Sequence, residues 1–238
     1  MFFRTFVSGC LSTLLGGLIS VFLGRNLRSQ QLAICFAFTS GVMLHIGVFD
    51  LFQSAAIDIG SVPAHLAFFT GILLFSLLVF IVPEPSLASS SSTKDKPRAA
   101  IFKTAFFVFF SISLHNVPEG LVVSTSYSFT RMMAIIVHNV IEGLAMGLPL
   151  MSAGVSKTKV LFFSFLSGFS ETLGGMLPLL FTPSDVVLSY VHAGLGGVML
   201  LTSLMLLPEA FIRAHSGIIL FFVFLGMSLS SICFCLES

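Results

Sequence analysis

The sequence predicts an all-α membrane protein: eight transmembrane helices in an inverted 3+2+3 repeat around a central hairpin of helices 4 and 5. Three observations predict it. Apolar runs long enough to cross a bilayer recur along the chain. Lysine and arginine collect on one side of those runs. Two pairs of runs resemble each other at nearly constant offsets.

A bilayer core takes about 20 apolar residues of helix. Runs of that kind cover residues 5–23, 32–53, 63–82, 101–126, 131–150, 158–181, 186–207 and 215–235. Hydrophobic residues make up 56% of the chain and charged residues 9%, with a mean hydropathy of +1.06. So little charge cannot solvate a water-facing surface, and lipid is the solvent. A net charge of +1 leaves no footprint for a nucleic-acid partner. The breaks between runs carry turn residues or charge, as in "GRNLRSQ", "AIDIGSVP" and "TPSD". Residues 83–100, serine-rich and charged at their centre, read as a flexible cytosolic loop inside a single domain of residues 1–238. The opening "MFFRTFVSGCLSTLLGG" reads as a span rather than a signal peptide, because part of it recurs later. Cys10, Cys35, Cys233 and Cys235 sit in apolar runs without a CxxC pair and read as small buried hydrophobes.

Basic residues favour cytosolic loops. With both termini extracytosolic, Arg25, Arg28, Lys94, Lys96, Arg98, Lys103, Lys157, Lys159 and Arg213 fall inside, and only Arg4 and Arg131 of the eleven fall outside. "GVMLHIGVFDLFQ" (41–53) in span 2 resembles "GVMLLTSLMLLPE" (197–209) in span 7, at an offset of 156. "LSTLLGG" (11–17) in span 1 resembles "FSETLGG" (169–175) in span 6, at an offset of 158. Each pair runs in opposite directions across the membrane, the pattern of an inverted repeat.

Spans 4 and 5 carry "HNVPEG" (115–120) and "HNVIEG" (138–143). Helix positions i and i+4 share a face, so His115 stacks with Glu119 and His138 with Glu142. Asn116 and Asn139 flank the same cluster. The turn between the spans centres on 128/129, and residues equally far from it share a depth. His115 then faces Glu142, and Glu119 faces His138, at roughly 17 Å below the turn. That depth is near the middle of the hydrocarbon. A carboxylate there costs roughly 2.5–3.5 kcal/mol, and neither stretch holds a lysine or arginine to offset it. A divalent cation bound by imidazole nitrogens and carboxylate oxygens offsets it. The alternative is a hydrogen-bonded polar seam with protonated glutamates; repetition in matched register favours the metal. Pro118 removes the helical partner of the Leu114 carbonyl and predicts a kink.

On these residues, "HNVPEGL" and "HNVIEGLAMGLP" on adjacent spans of an eight-span chain, the sequence resembles the ZIP family of divalent-metal transporters over its whole length. The resemblance implies transport of Zn²⁺, or in some members Fe²⁺, Mn²⁺ or Cd²⁺, towards the cytosol, with no prosthetic group and no enzymatic activity. It implies a two-metal site: His115, Glu119, His138 and Glu142 on one ion, and Asn116 and Asn139 with the bridging glutamates on a second. Glu171 in "SGFSETLGG" matches the family's span 6 glutamate at that site, and an intramembrane carboxylate is rarely idle in any case. Ile141 departs from the proline common in the span 5 motif, Asn139 is one of several residues found at its place, and the cytosolic loop lacks a histidine run. Relatives often pair as homodimers.

His45 and Asp50 in the outer half of span 2, and His192 in the outer half of span 7, are expected to form an access route to the cluster. Asp50 stands at the family's usual polar position after "GVML". Glu209 at the cytosolic end is a candidate exit residue or a solvated charge. His65 and His215 read as solvated, and Met43, Met146 and Met199 as core filler. A membrane metalloenzyme is the rival class; a hydrolase would want HExxH or a similar two-His motif with a general base, whereas here the glutamate is itself in the ligand position and no separate nucleophile appears.

Overall fold

The computed structural model describes residues 2–24, 29–81, 96–125, 129–180 and 184–237. Every regular element among the described residues is helical, because in lipid a backbone must satisfy its own hydrogen bonds. In chain order they are α1 (Phe2–Leu23), α2 (Ser29–Ile59), α3 (Ser61–Ile81), α4 (Lys96–Thr125), α5 (Phe129–Ser152), α6 (Lys157–Met176), α7 (Asp185–Phe211) and α8 (Ser216–Glu237). The first seven hold stretches long and apolar enough to cross a membrane; the apolar stretch of α8, Ser216–Ile232, is shorter.

Three helix ends differ from the expected bounds by five residues or more, one of them the end of α6 at Met176 rather than 181. Helix α2 runs six residues beyond the predicted end at 53, to Ile59, where Gly60 at φ +87° makes the turn into α3. Only glycine takes that conformation without strain. Helix α4 starts at Lys96, so residues 96–100 of the predicted loop are helical. Proline at the first turn, here Pro97, needs no N–H partner and suits a helix start. The rest of that loop up to residue 95 lies outside the described residues, as do Arg25, Arg28 and the turn at 126–128. Helix α4 continues through Pro118.

Large apolar side chains are widely exposed along the helices. On α3, Val62, Leu66, Phe69, Leu73, Leu77 and Phe80 form one outward stripe at helical spacing, Phe80 being 86% exposed. Such a stripe on a water-soluble fold would be an aggregation hazard.

The helices pack as two groups. In one, α1 lies on α5 and α6, and α4 lies on α5 and α6; in the other, α2 lies on α7 and α8, and α3 on α7. Helix α4 touches α7, and α5 touches α2 and α8, across the seam. Small residues let the first group close tightly. A methyl at Gly120 of α4 would collide with the Glu171 carbonyl and Gly175 amide of α6. One at Gly143 of α5 would collide with the Thr13 carbonyl and the Gly17 amide of α1. These two contacts fix the motif helices against their neighbours one residue after each motif glutamate.

Candidate metal centre

The centre is assembled from the middle of α4, α5 and α6. Histidine and glutamate four apart stack on each motif helix as expected. His115 Nε2 lies 3.9 Å from Glu119 Oε2, and His138 Nε2 lies 3.2 Å from Glu142 Oε1. The antiparallel crossing brings the two imidazoles to a centroid separation of 5.9 Å. One ligand atom each from His115, His138 and Glu142 lie within 4.8 Å of one another. The predicted pairing of His115 with Glu142 across the hairpin is therefore present in this group, while Glu119 stands beside it through His115.

Burial makes the group energetically demanding. His115 and Glu142 are almost fully buried, and Asn116 and Asn139 are 0% exposed. Inside a protein such polar atoms normally have partners. Here His115 Nδ1, Asn116 Oδ1, Asn139 Oδ1 and both Glu142 oxygens make no hydrogen bond. Buried nitrogen and oxygen donors that lack hydrogen bonds suit a borderline or hard divalent cation, which offsets the carboxylate charge and takes up lone pairs together.

The asparagine amides are committed elsewhere. Asn116 Nδ2 donates to the Ser167 carbonyl at 3.2 Å, and Asn139 Nδ2 to the Ser8 carbonyl at 2.9 Å. Asn139 also donates to Glu171 Oε2 at 2.7 Å, and Ser8 Oγ donates to Glu171 Oε1 at 2.6 Å. Glu171, 0% exposed, thus joins the centre through Asn139, and each of its oxygens holds one hydrogen bond.

The expected access residues divide. Asp50 is within electrostatic reach of His138. His192 is within reach of His115 on one side and Asp58 on the other. His45 is turned to α8: its Nδ1 lies 3.1 Å from Ser230 Oγ, its ring stacks on Phe49, and it borders a cavity of about 470 Å³ with Met227 and Ser228. Glu209 pairs with Arg213 one turn later at 2.5 Å. Met43, Met146 and Met199 lie in the main apolar core.

Three polar residues were not singled out by sequence. Ser8 bonds Glu171. Asp58 accepts from Ser189 Oγ at 2.8 Å, and both border a cavity of about 470 Å³ with Asp185 and His192. Asp58 is visible as the one acid in "AIDIG", but only the extra length of α2 carries it to His192.

The family profile described as ZIP Zinc transporter matches residues 82–233 of the chain. Among curated proteins, the zinc transporter ZTP29 of Arabidopsis thaliana is 32% identical, over 94% of this chain and 89% of its own length. The zinc transporter ZupT of Chlorobaculum parvum is 31% identical, over 88% and 87%. ZupT of Streptococcus mutans is 29% identical, over 88% and 86%.

Proposed function

We propose, for a chain that belongs to the ZIP zinc transporter family, that it carries Zn²⁺ towards the cytosol through the buried His/Glu/Asn centre between α4, α5 and α6. Fe²⁺, Mn²⁺ and Cd²⁺ are the alternative cargoes that the same donors accept. The family is one of metal-ion carriers, not enzymes. The observation that carries the reading is the convergence of His115, His138 and Glu142 ligand atoms within 4.8 Å at the middle of two apolar helices.

The site has two positions in this reading. His115, Glu119, His138 and Glu142 bind one ion. Asn116 and Asn139, through the oxygens that make no hydrogen bond, take a second with Glu171 and the bridging glutamates. Asp50 and His192 line the access route, and Asp58 extends it outward. His45 belongs to the wall against α8 rather than to that route.

The architecture is eight spans with both termini extracytosolic, α8 completing the count, as one domain. An inverted repeat is supported by contacts that exchange under the sequence offsets. Adding 158 takes Thr13 to Glu171 and Gly17 to Gly175, and adding 23 takes Gly120 to Gly143. The contact of Gly143 with α1 and that of Gly120 with α6 are then the same contact. Adding 156 likewise exchanges the Ser40–Ser203 hydrogen bonds with the Gly47–Gly196 contact. The carrier works as a homodimer in the reading taken from its relatives.

The test is uptake of radiolabelled Zn²⁺, Fe²⁺ and Mn²⁺ into proteoliposomes, with wild type against the His115→Ala/Glu142→Ala double variant. Zinc uptake by wild type that the double variant abolishes is the expected result. Equal uptake by both would remove the centre from the pathway.

A further inference from the structure

Ser8 lies outside both ligand motifs, yet it makes the shortest side-chain contact to Glu171, 2.6 Å from hydroxyl to carboxylate. We propose that Ser8 is a positioning residue: it holds the Glu171 carboxylate beside the metal cluster and so sets how tightly the cargo ion is bound. The proposal rests on reading Glu171 as a cargo ligand.

Ser8, Asn139 and Glu171 form a closed unit across α1, α5 and α6. Ser8 donates to Oε1 and Asn139 to Oε2, and the same Asn139 amide donates to the Ser8 carbonyl at 2.9 Å. All three residues are 0% exposed. An ionised carboxylate has about four lone-pair positions, so one hydrogen bond per oxygen orients the group and leaves room for an ion. The backbone is shaped for it. Residues Phe6–Leu11 form a π-helical stretch, a widened turn with one residue more than the α-helix would use. Gly9, next to Ser8, lies flat against Glu171, where any side chain would strike the carboxyl.

The other half of the molecule provides the control. "SGCLSTLLGG" (8–17) matches "SGFSETLGG" (167–175) once Cys10 is taken as the extra residue of the π-helical stretch. Ser8 then corresponds to Ser167, Asn139 to Asn116 and Glu171 to Thr13. Asn116 donates to the Ser167 carbonyl as Asn139 does to that of Ser8. Yet the hydroxyls of Ser167 and Thr13, both fully buried, make no hydrogen bond. The same serine in the same frame bonds only where a carboxylate is present to receive it. The Ser8 hydroxyl is thus tied to Glu171, not to the helix crossing.

Hydrogen bonds behind a ligating carboxylate typically contribute roughly 10–100-fold to metal affinity. The experiment uses the full chain, measuring zinc binding in detergent by competition with a chelating dye, and KM and Vmax in proteoliposomes. Ser8→Ala is expected to weaken zinc binding and raise KM by roughly 10–100-fold, with Vmax at saturating zinc within about twofold. In a Glu171→Gln background the same substitution should change affinity by no more than about twofold, because the two residues act as one unit. Wild-type affinity in Ser8→Ala, or an undiminished loss in the Glu171→Gln background, would overturn the proposal. So would a fall in Vmax or folded yield at unchanged affinity, which would make Ser8 merely structural. Failure of the transport reading looks different: wild type itself would not bind zinc, and Ser8 would have no ligand to position.

Discussion

Replacing Glu142 by glutamine separates the two roles a buried carboxylate can play in this hairpin. Glu142 is 2% exposed, with neither oxygen accepting a hydrogen bond. If the centre exists for a cation, the metal-free protein carries the carboxylate at a loss of roughly 2.5–3.5 kcal/mol. A glutamine amide of the same shape costs roughly 1 kcal/mol there. Glu142→Gln should therefore stabilise the metal-free protein by about 2 kcal/mol, or about 4–8 °C in melting temperature for a chain of this size. Wild type should gain about 2.7 kcal/mol from zinc at a hundred times its Kd. The variant should gain almost none of it. The assay is thermal unfolding in detergent, with chelator and then with zinc, scanned at one fixed rate because unfolding of such proteins is often irreversible. In a hydrogen-bonded polar seam the signs reverse. Glu142→Gln would lower the metal-free melting temperature and leave any zinc shift intact, and that result would refute the metal reading.

Further outcomes follow from the same geometry. Gly143→Ala forces a methyl into the Thr13 carbonyl; it should cost roughly 1–3 kcal/mol as overpacking, read as reduced folded yield on size exclusion. Asp50→Ala, which removes a charge within reach of His138, should raise KM for zinc with little change in Vmax, whereas His45→Ala should leave KM unchanged; the reverse ranking would exchange their roles. Zinc uptake should fall between about pH 7 and 5.5, because imidazole and carboxylate must shed protons to ligate and acid returns them. A flat rate over that range would count against histidine as a direct ligand.

The parts of this protein that follow simple periodicity are legible in its sequence. Run length predicts the spans, and the depth shared by His115 and Glu142 in an antiparallel hairpin predicts their meeting, which the ligand group of His115, His138 and Glu142 contains. Legibility fails where the helix departs from 100° per residue. The stretch Ile46–Phe52 is π-helical, so Asp50 does not share with His45 the facial relation that a regular helix would give their spacing of five, and His45 bonds Ser230 of α8. Ser8 was hidden for the same reason. One extra residue in Phe6–Leu11 shifts the match with α6 by one, so the correspondence of Ser8 with Ser167 does not show at the constant offset of 158. Asp58 required the end of α2, a boundary that hydropathy places six residues too early. Glu209, expected as an exit residue or a solvated charge, instead pairs with Arg213 four residues on, a partner that helical spacing offers.

The partition of helices into two groups also leaves their separation bounded by the chain between them. Three links of chain join the groups: residues 24–28, 82–95 and 180–184. Fully drawn out, a five-residue link lets the helix ends it ties stand no more than about 20 Å apart. The two five-residue links, one in each half of the chain, therefore bound the separation of the helix ends they tie more closely than the fourteen-residue link does.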